Sequence, residues 1–149
     1  MQMHQKFMDL AIEEACKAKA LGDWPIGAVV VKDDVVVGTG GVREKVGGDI
    51  TDHAEIRALK DACKNLSSND LSNCAIYSTN EPCLMCASAI FQAGITHIYI
   101  ALSRDDLPHL LRPRKLRIES LALDLNYQPT ITRGLGKEQV LALFADVSK

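Results

Sequence analysis

The sequence predicts an α/β sandwich, a central sheet covered by helices. Segments with apolar residues at helical spacing alternate with short runs of Val, Ile and Ala. Gly, Pro and clustered Asp, Ser and Asn punctuate them, as turns require. Of 149 residues 47% are apolar but only 5% aromatic, so aliphatic side chains must build the core of one domain covering residues 1–149.

The elements follow in order. Phe7, Met8, Ala11, Ile12, Ala15 and Ala18 form one face of a first helix, which Gly22 stops. Pro25-Ile26-Gly27 opens a strand through Ala28, Val29, Val30 and Val31. Asp33-Asp34 supplies a turn, and Val35 to Gly38 return as a second strand. A glycine-containing loop, Gly40 to Asp49, leads to Thr51 or Asp52, either of which suits the cap of a helix through Ile56, Leu59, Lys60 and Cys63. After the polar stretch Ser67 to Ser72, Ala75 to Ser78 reads as a third strand. Pro82 suits the first turn of a helix that carries Met85, Ala89, Ile90 and Ala93 and stops at Gly94. Ile98 to Ala101 is a fourth strand. Further on, Leu116 to Leu125 reads as helix, Thr130 to Thr132 as a fifth strand and Glu138 to Phe144 as a final helix.

Composition excludes some function classes. A net charge of −2 offers no overall basic field for nucleic acid. No stretch is long and apolar enough to span a membrane, and Met1 to Leu10 hold no apolar run bounded by a cleavage site, so a cytoplasmic location is expected. Five cysteines in such a chain argue for metal and free thiols over a disulfide framework. Cys16, Cys63 and Cys74 fall within apolar patterns and read as small core residues.

The chemistry concentrates in two short stretches, His53-Ala54-Glu55 and Pro82-Cys83-Leu84-Met85-Cys86. His53, Cys83 and Cys86 are three candidate zinc ligands, and three protein ligands leave a tetrahedral zinc one open position for water. Glu55 is a carboxylate that need not bind the metal and can carry protons. Other readings stand beside this one. Cys83 and Cys86 could be a redox pair, a fourth ligand would make the zinc structural, and Asp52 with Glu55 fits a helix capping box.

The joint pattern H-x-E and P-C-x-x-C resembles the zinc-dependent cytidine deaminase-like superfamily. The likeness runs from about Phe7 to Tyr99 and is strongest to the branch of guanine deaminases, fungal-type cytosine deaminases and bacterial tRNA adenosine deaminases. It implies a three-layer α/β/α sandwich around a mixed sheet of about five strands. It also implies one zinc per chain on His53, Cys83 and Cys86, Glu55 as the catalytic proton carrier, and a homodimer paired through helices near the metal. The implied reaction is hydrolytic deamination of a small aminated purine, pyrimidine or related heterocycle. The alternative is deamination of a tRNA adenosine to inosine.

The resemblance also points to substrate contacts, and here the chain departs from its relatives. Eleven positions before His53, where relatives usually carry a base-binding asparagine, stands Val42. Asn80 and the pair Arg104-Asp105 are candidate replacements, since an amide offers both donor and acceptor and loops after strand ends line α/β sites. Trp24 and Ile26, which flank Pro25, and Ala54 and Pro82, within the two motifs, complete the expected pocket wall. Arg112, Arg114, Lys115 and Arg117 form one local basic cluster that could touch phosphates or merely face solvent.

Overall fold

Alternation in the strand sequences places two sets of side chains on two faces of one sheet, and each face draws helices. The computed structural model describes residues 2–148. In chain order the elements are α1 (Gln2–Ala20), β1 (Gly27–Lys32), β2 (Val35–Gly41), α2 (Glu44–Gly47) and α3 (Ala54–Leu66). They continue with β3 (Cys74–Asn80), α4 (Leu84–Gln92), β4 (His97–Leu102), a 3₁₀ turn at Arg104–Asp106, α5 (Ile118–Asp124), β5 (Thr130–Arg133) and α6 (Lys137–Phe144).

The sheet is mixed and five-stranded, in the order β2-β1-β3-β4-β5. β1 pairs antiparallel with both β2 and β3, whereas β3–β4 and β4–β5 are parallel. A β-bulge interrupts β1–β2 between Val30 and Val31. On one face Val29, Val31 and Tyr77 pack with Phe7, Met8 and Ala11 of α1 and Val140 and Phe144 of α6. On the other, Val30, Ile76, Ile98 and Ile100 pack with Ala58 and Ala62 of α3, Ile90 of α4 and Ile118 of α5. This is the expected three-layer sandwich. No helix is long and apolar enough to cross a membrane.

Glycines in the strands set how closely the helices lie. A Cβ on Gly38 would collide with the backbone of α3 at Ala58 and Ala62, and one on Gly40 would sit 2.6 Å from the Ala54 carbonyl oxygen. Only residues without a side chain let α3 lie this near the sheet.

Several local expectations are corrected. α1 begins at Gln2, ahead of its first apolar position, and the loop after β2 contains the short α2. The N-cap of α3 is His53, not Thr51 or Asp52, and no side chain caps it; Asp52 pairs with Arg57 instead, at 3.0 Å. α4 starts at Leu84 with Cys83 as N-cap, so Pro82 lies just outside the helix. Cys16 is exposed, because it follows Ala15 on the outward side of α1, and Cys63 is half-buried; Cys74 alone of the three is a core residue.

Arg117 also leaves its expected place. Instead of joining a solvent-facing basic cluster it grips Glu81, with Nε 2.6 Å from Oε2 and Nη2 2.7 Å from Oε1. Arg133 of β5 donates to the same carboxylate at 3.2 Å, and the Glu81 side chain is only 1% exposed. The cluster ties the segment after β3 to α5 and β5. Burial pushes the Glu81 pKa up, but the hydrogen bond and charge of Arg117 and the charge of Arg133 outweigh it, and the net value is lowered.

A carboxylate with a lowered folded pKa contributes stability above its ordinary pKa, and that contribution fades as pH falls through the folded value. Glu81→Gln is therefore expected to lose about 1.5–3 kcal/mol at neutral pH, the range for hydrogen bonds to charged groups. The gap to the native protein should narrow below about pH 4.5, the ordinary glutamate value. Urea unfolding at pH 7 and pH 3 reads both; an unchanged gap would show that the charge does not matter.

Candidate active site

His53 is the N-cap of α3 and Glu55 stands in its first turn, so the start of one helix carries both. Asp23, itself buried, accepts hydrogen bonds from the backbone N–H of Lys45 and Val46 at 2.9 and 3.0 Å. It serves the start of α2, which has no side-chain cap of its own. α2 in turn presents Glu44, whose Oε2 lies 3.4 Å from His53 Nε2.

The other ring nitrogen of His53 faces the two thiols. Nδ1 is 3.6 Å from Cys83 Sγ and 3.4 Å from Cys86 Sγ, and the sulfurs are 3.7 Å apart. A tetrahedral zinc with bonds of about 2.3 Å to sulfur and about 2.0 Å to nitrogen needs S···S near 3.8 Å and S···N near 3.5 Å. The three donors thus fit zinc without rearrangement, and their soft thiolate and imidazole chemistry suits it. Among the described residues only His53, Cys83 and Cys86 form such a group. Cys74, the other candidate ligand, begins β3 whereas the site lies beyond its far end at Asn80, roughly 20 Å of extended chain away. The donor set therefore has three members, as an open site requires.

Electrostatics follow from contact. The hydrogen bond with Cys83 raises the His53 pKa to about 8 against the opposing effect of burial. The hydrogen bond with Cys86, reinforced by that with His53, brings Cys83 down to about 3, while the same bond and burial push Cys86 up. One of the two sulfurs is thereby a ready thiolate.

Glu55 is 4% exposed, and burial raises its pKa despite hydrogen bonds with Cys86 and Ser78. Ser78 Oγ lies 2.9 Å from Glu55 Oε1 and 2.8 Å from the Asn80 carbonyl oxygen. The hydroxyl has one proton and can give it to either acceptor. When Glu55 is ionised Ser78 donates to it; when Glu55 is protonated, Ser78 can donate to Asn80 and accept from Glu55. Both states of the carboxyl are accommodated. The capping-box reading of Glu55 fails, because with His53 at the N-cap Glu55 is one position short of the box and its side chain is directed to β3.

A pocket of about 210 Å³ opens over these groups. Of the expected substrate contacts, Trp24, Ile26, Val42, Ala54, Asn80 and Arg104 line it. Pro82 and Asp105 do not. Pro82 is buried outside the lining, and Asp105 turns to solvent, 81% exposed, to pair with Arg117 at 3.2 Å. Lys45 Nζ covers one face of the Trp24 ring at 3.6 Å, leaving only the other for stacking. Asn80 Oδ1 accepts from Thr79 Oγ1 at 3.1 Å, and its Nδ2 has no hydrogen-bond acceptor among the described residues. Five lining residues carried no expectation: Glu44, Glu81, Leu110, Leu111 and Phe144. The last three come from segments remote from both motifs, and no local spacing marks them. Glu44 stood in what read as loop, where its charge alone is no signal.

The sequence profile of the cytidine and deoxycytidylate deaminase zinc-binding region matches residues 1–102. The chain is 42% identical over 103 residues to a tRNA-specific adenosine deaminase of Haemophilus influenzae, covering 68% of this chain and 60% of that protein. It is 36% identical over 104 residues to a guanine deaminase of Bacillus subtilis, covering 69% and 67%. The matched stretch thus spans about two thirds or less of these relatives' length. A solved structure from work on A-to-I editing by tRNA:A34 deaminases superposes with a TM-score of 0.78 at 32% identity, covering 93% of this chain and 98% of that one. The profile takes in well over half of the chain, both motifs included, and the chain belongs to the family that this zinc-binding region of cytidine and deoxycytidylate deaminases defines.

Proposed function

We propose that this protein is a zinc-dependent hydrolytic deaminase that releases ammonia from a small aminated heterocycle. The observation that carries the reading is a buried glutamate, Glu55, beside three donors spaced for zinc, at the base of one pocket. Zinc bound by His53, Cys83 and Cys86 would supply an acidified water as nucleophile.

The protein's own groups do the rest. Glu55 takes a proton from the attacking water and delivers it to the ring nitrogen; it then takes the second proton from the hydroxyl now on the ring carbon and gives it to the departing amine. The carbon–nitrogen bond breaks, a carbon–oxygen bond replaces it, and ammonia leaves. The raised Glu55 pKa keeps the proton available, and Ser78 follows each change of its charge. Glu44 holds His53 Nε2, so that Nδ1 stays directed at the thiols. The apolar walls at Ile26, Val42 and Leu110 exclude bulk water and strengthen these interactions.

Size supports a bare heterocycle, since about 210 Å³ lies below the roughly 300–1,000 Å³ of pockets for drug-sized ligands. The second reading, deamination of a tRNA adenosine to inosine, is favoured by the 42% identity to the Haemophilus enzyme. Two observations weigh for the small molecule. Net charge is −2, and Arg117 of the basic cluster is consumed by Glu81 and Asp105. A homodimer is also proposed. Ile56, Leu59 and Cys63 of α3, Ala89 of α4 and Ala93 just past its end line a groove, with Lys60, Asn69 and Gln92 also in it, and Met85 of α4 is 37% exposed.

Protein purified without added metal is expected to hold one zinc per chain by elemental analysis, and Glu44→Ala to weaken zinc affinity about 10–100-fold in a chelator competition. Stoichiometric iron, or no metal with reduced thiols, would sink the zinc reading. An ammonia-release screen over free bases, nucleosides and an adenosine-34 tRNA stem-loop tests the reaction and separates the two substrates. Glu55→Gln should keep zinc and fold yet lose at least about 100-fold in turnover. Near-native activity in that variant would leave Glu55 without a chemical role. Light scattering at micromolar concentration should give twice the chain mass; a fully active monomer counts against the dimer.

A further inference from the structure

Among the described residues Arg104 is the only lysine or arginine that lines the pocket. It enters no ion pair among the described residues, because each neighbouring carboxylate is already engaged. Glu81 binds Arg117 and Arg133, Asp105 binds Arg117, and Asp106 binds Lys137 at 2.9 Å. Nη2 of Arg104 donates to the Arg112 carbonyl oxygen at 3.0 Å, which anchors the guanidinium by one corner. Its Nε is buried and meets no acceptor. Leu110 and Leu111 line the same pocket. Burial, and the like charges of Arg114 and Arg117, also act against the cation.

A part-buried cation without an ion-pair partner, set in the wall of this pocket, is costly unless something that enters the pocket pairs with it. Neutral acceptors would serve the hydrogen bond but not the charge. A guanidinium matches planar oxyanions best, through parallel N–H groups. We propose that the substrate is an aminated heterocycle bearing an anionic oxygen, a ring carboxylate or an ionised ring oxygen, and that Arg104 reads it. This rests on the deaminase reading above and adds its substrate class. It also accounts for Val42. A ring fixed at its charged edge by Arg104 needs no amide where Val42 stands, and an apolar wall there suits the ring's body. Asn80 Nδ2 remains to orient the ring's polar edge.

The test uses matched pairs of rings differing in one group. 4-Aminopyrimidine-5-carboxylate is compared with its neutral carboxamide, and corresponding pairs are made on triazine and purine rings. Binding to the zinc-loaded protein is read by calorimetry, and ammonia release is followed in parallel. At least one carboxylate should bind tenfold or more tighter than its carboxamide. Arg104→Gln should erase the difference, and Arg104→Lys should restore part of it. Equal binding within every pair overturns the proposal, as does a panel in which nothing binds or a preference that survives Arg104→Gln in a protein of unchanged thermal stability. Dependence on Arg104 for nucleotides and the tRNA stem-loop only, with none for the carboxylates, overturns it in favour of a phosphate contact. Discrimination without ammonia from any ring supports the Arg104 assignment while removing the deaminase reading. Ammonia without discrimination does the reverse.

Discussion

α3 lies on β2 at backbone distance because Gly38 and Gly40 present nothing to it, and the geometry of the site is inherited from that approach. A larger residue at either position must lift the helix, and the helix start carries both His53 and Glu55. Glu55 reaches Ser78 on β3 only because the helix sits this low. Cys83 and Cys86 come from the other side, off the end of the same strand, so β3 serves as the common reference for donors that are about 30 residues apart in sequence. Packing thus brings the three donors to the spacing that zinc requires.

A second constraint holds the chain just past the end of that strand. Glu81 directly precedes Pro82 and Cys83, and its carboxylate is locked by Arg117 and Arg133. A loop that carries one of the three donors would otherwise be mobile. Burying an ion pair is at best modest for stability, but a fully engaged one fixes geometry. Here the cluster joins the loop that carries Cys83 to α5 and β5, so the last third of the chain helps hold that sulfur in place.

What the sequence discloses follows the range of the interactions involved. The donors and Glu55 were legible because their spacing is local, and the sheet because alternating β-branched runs need no distant information. The misreadings have physical sources. Cys16 sits among apolar letters but faces outward, since helical phase, not neighbourhood, decides burial. Asp52 has the side chain of a cap, yet Arg57 competes for it. Arg117 looks like one of four exposed cations until Glu81, 36 positions earlier, is folded against it. Glu44, Leu110, Leu111 and Phe144 reach the pocket through tertiary packing, for which the chain offers no periodic sign.

The placement of those last residues divides labour along the chain. Residues 1–102 hold His53, Glu55, Cys83 and Cys86, and they are the part shared with the family. Arg104, Leu110, Leu111 and Phe144 come after that segment and furnish a lip of the pocket. The donors and Glu55 thus lie in the shared segment, whereas the pocket wall is drawn from both stretches of polypeptide. Mutation can remodel the lip without displacing the machinery beneath it. A lineage built this way can change its diet while keeping its teeth.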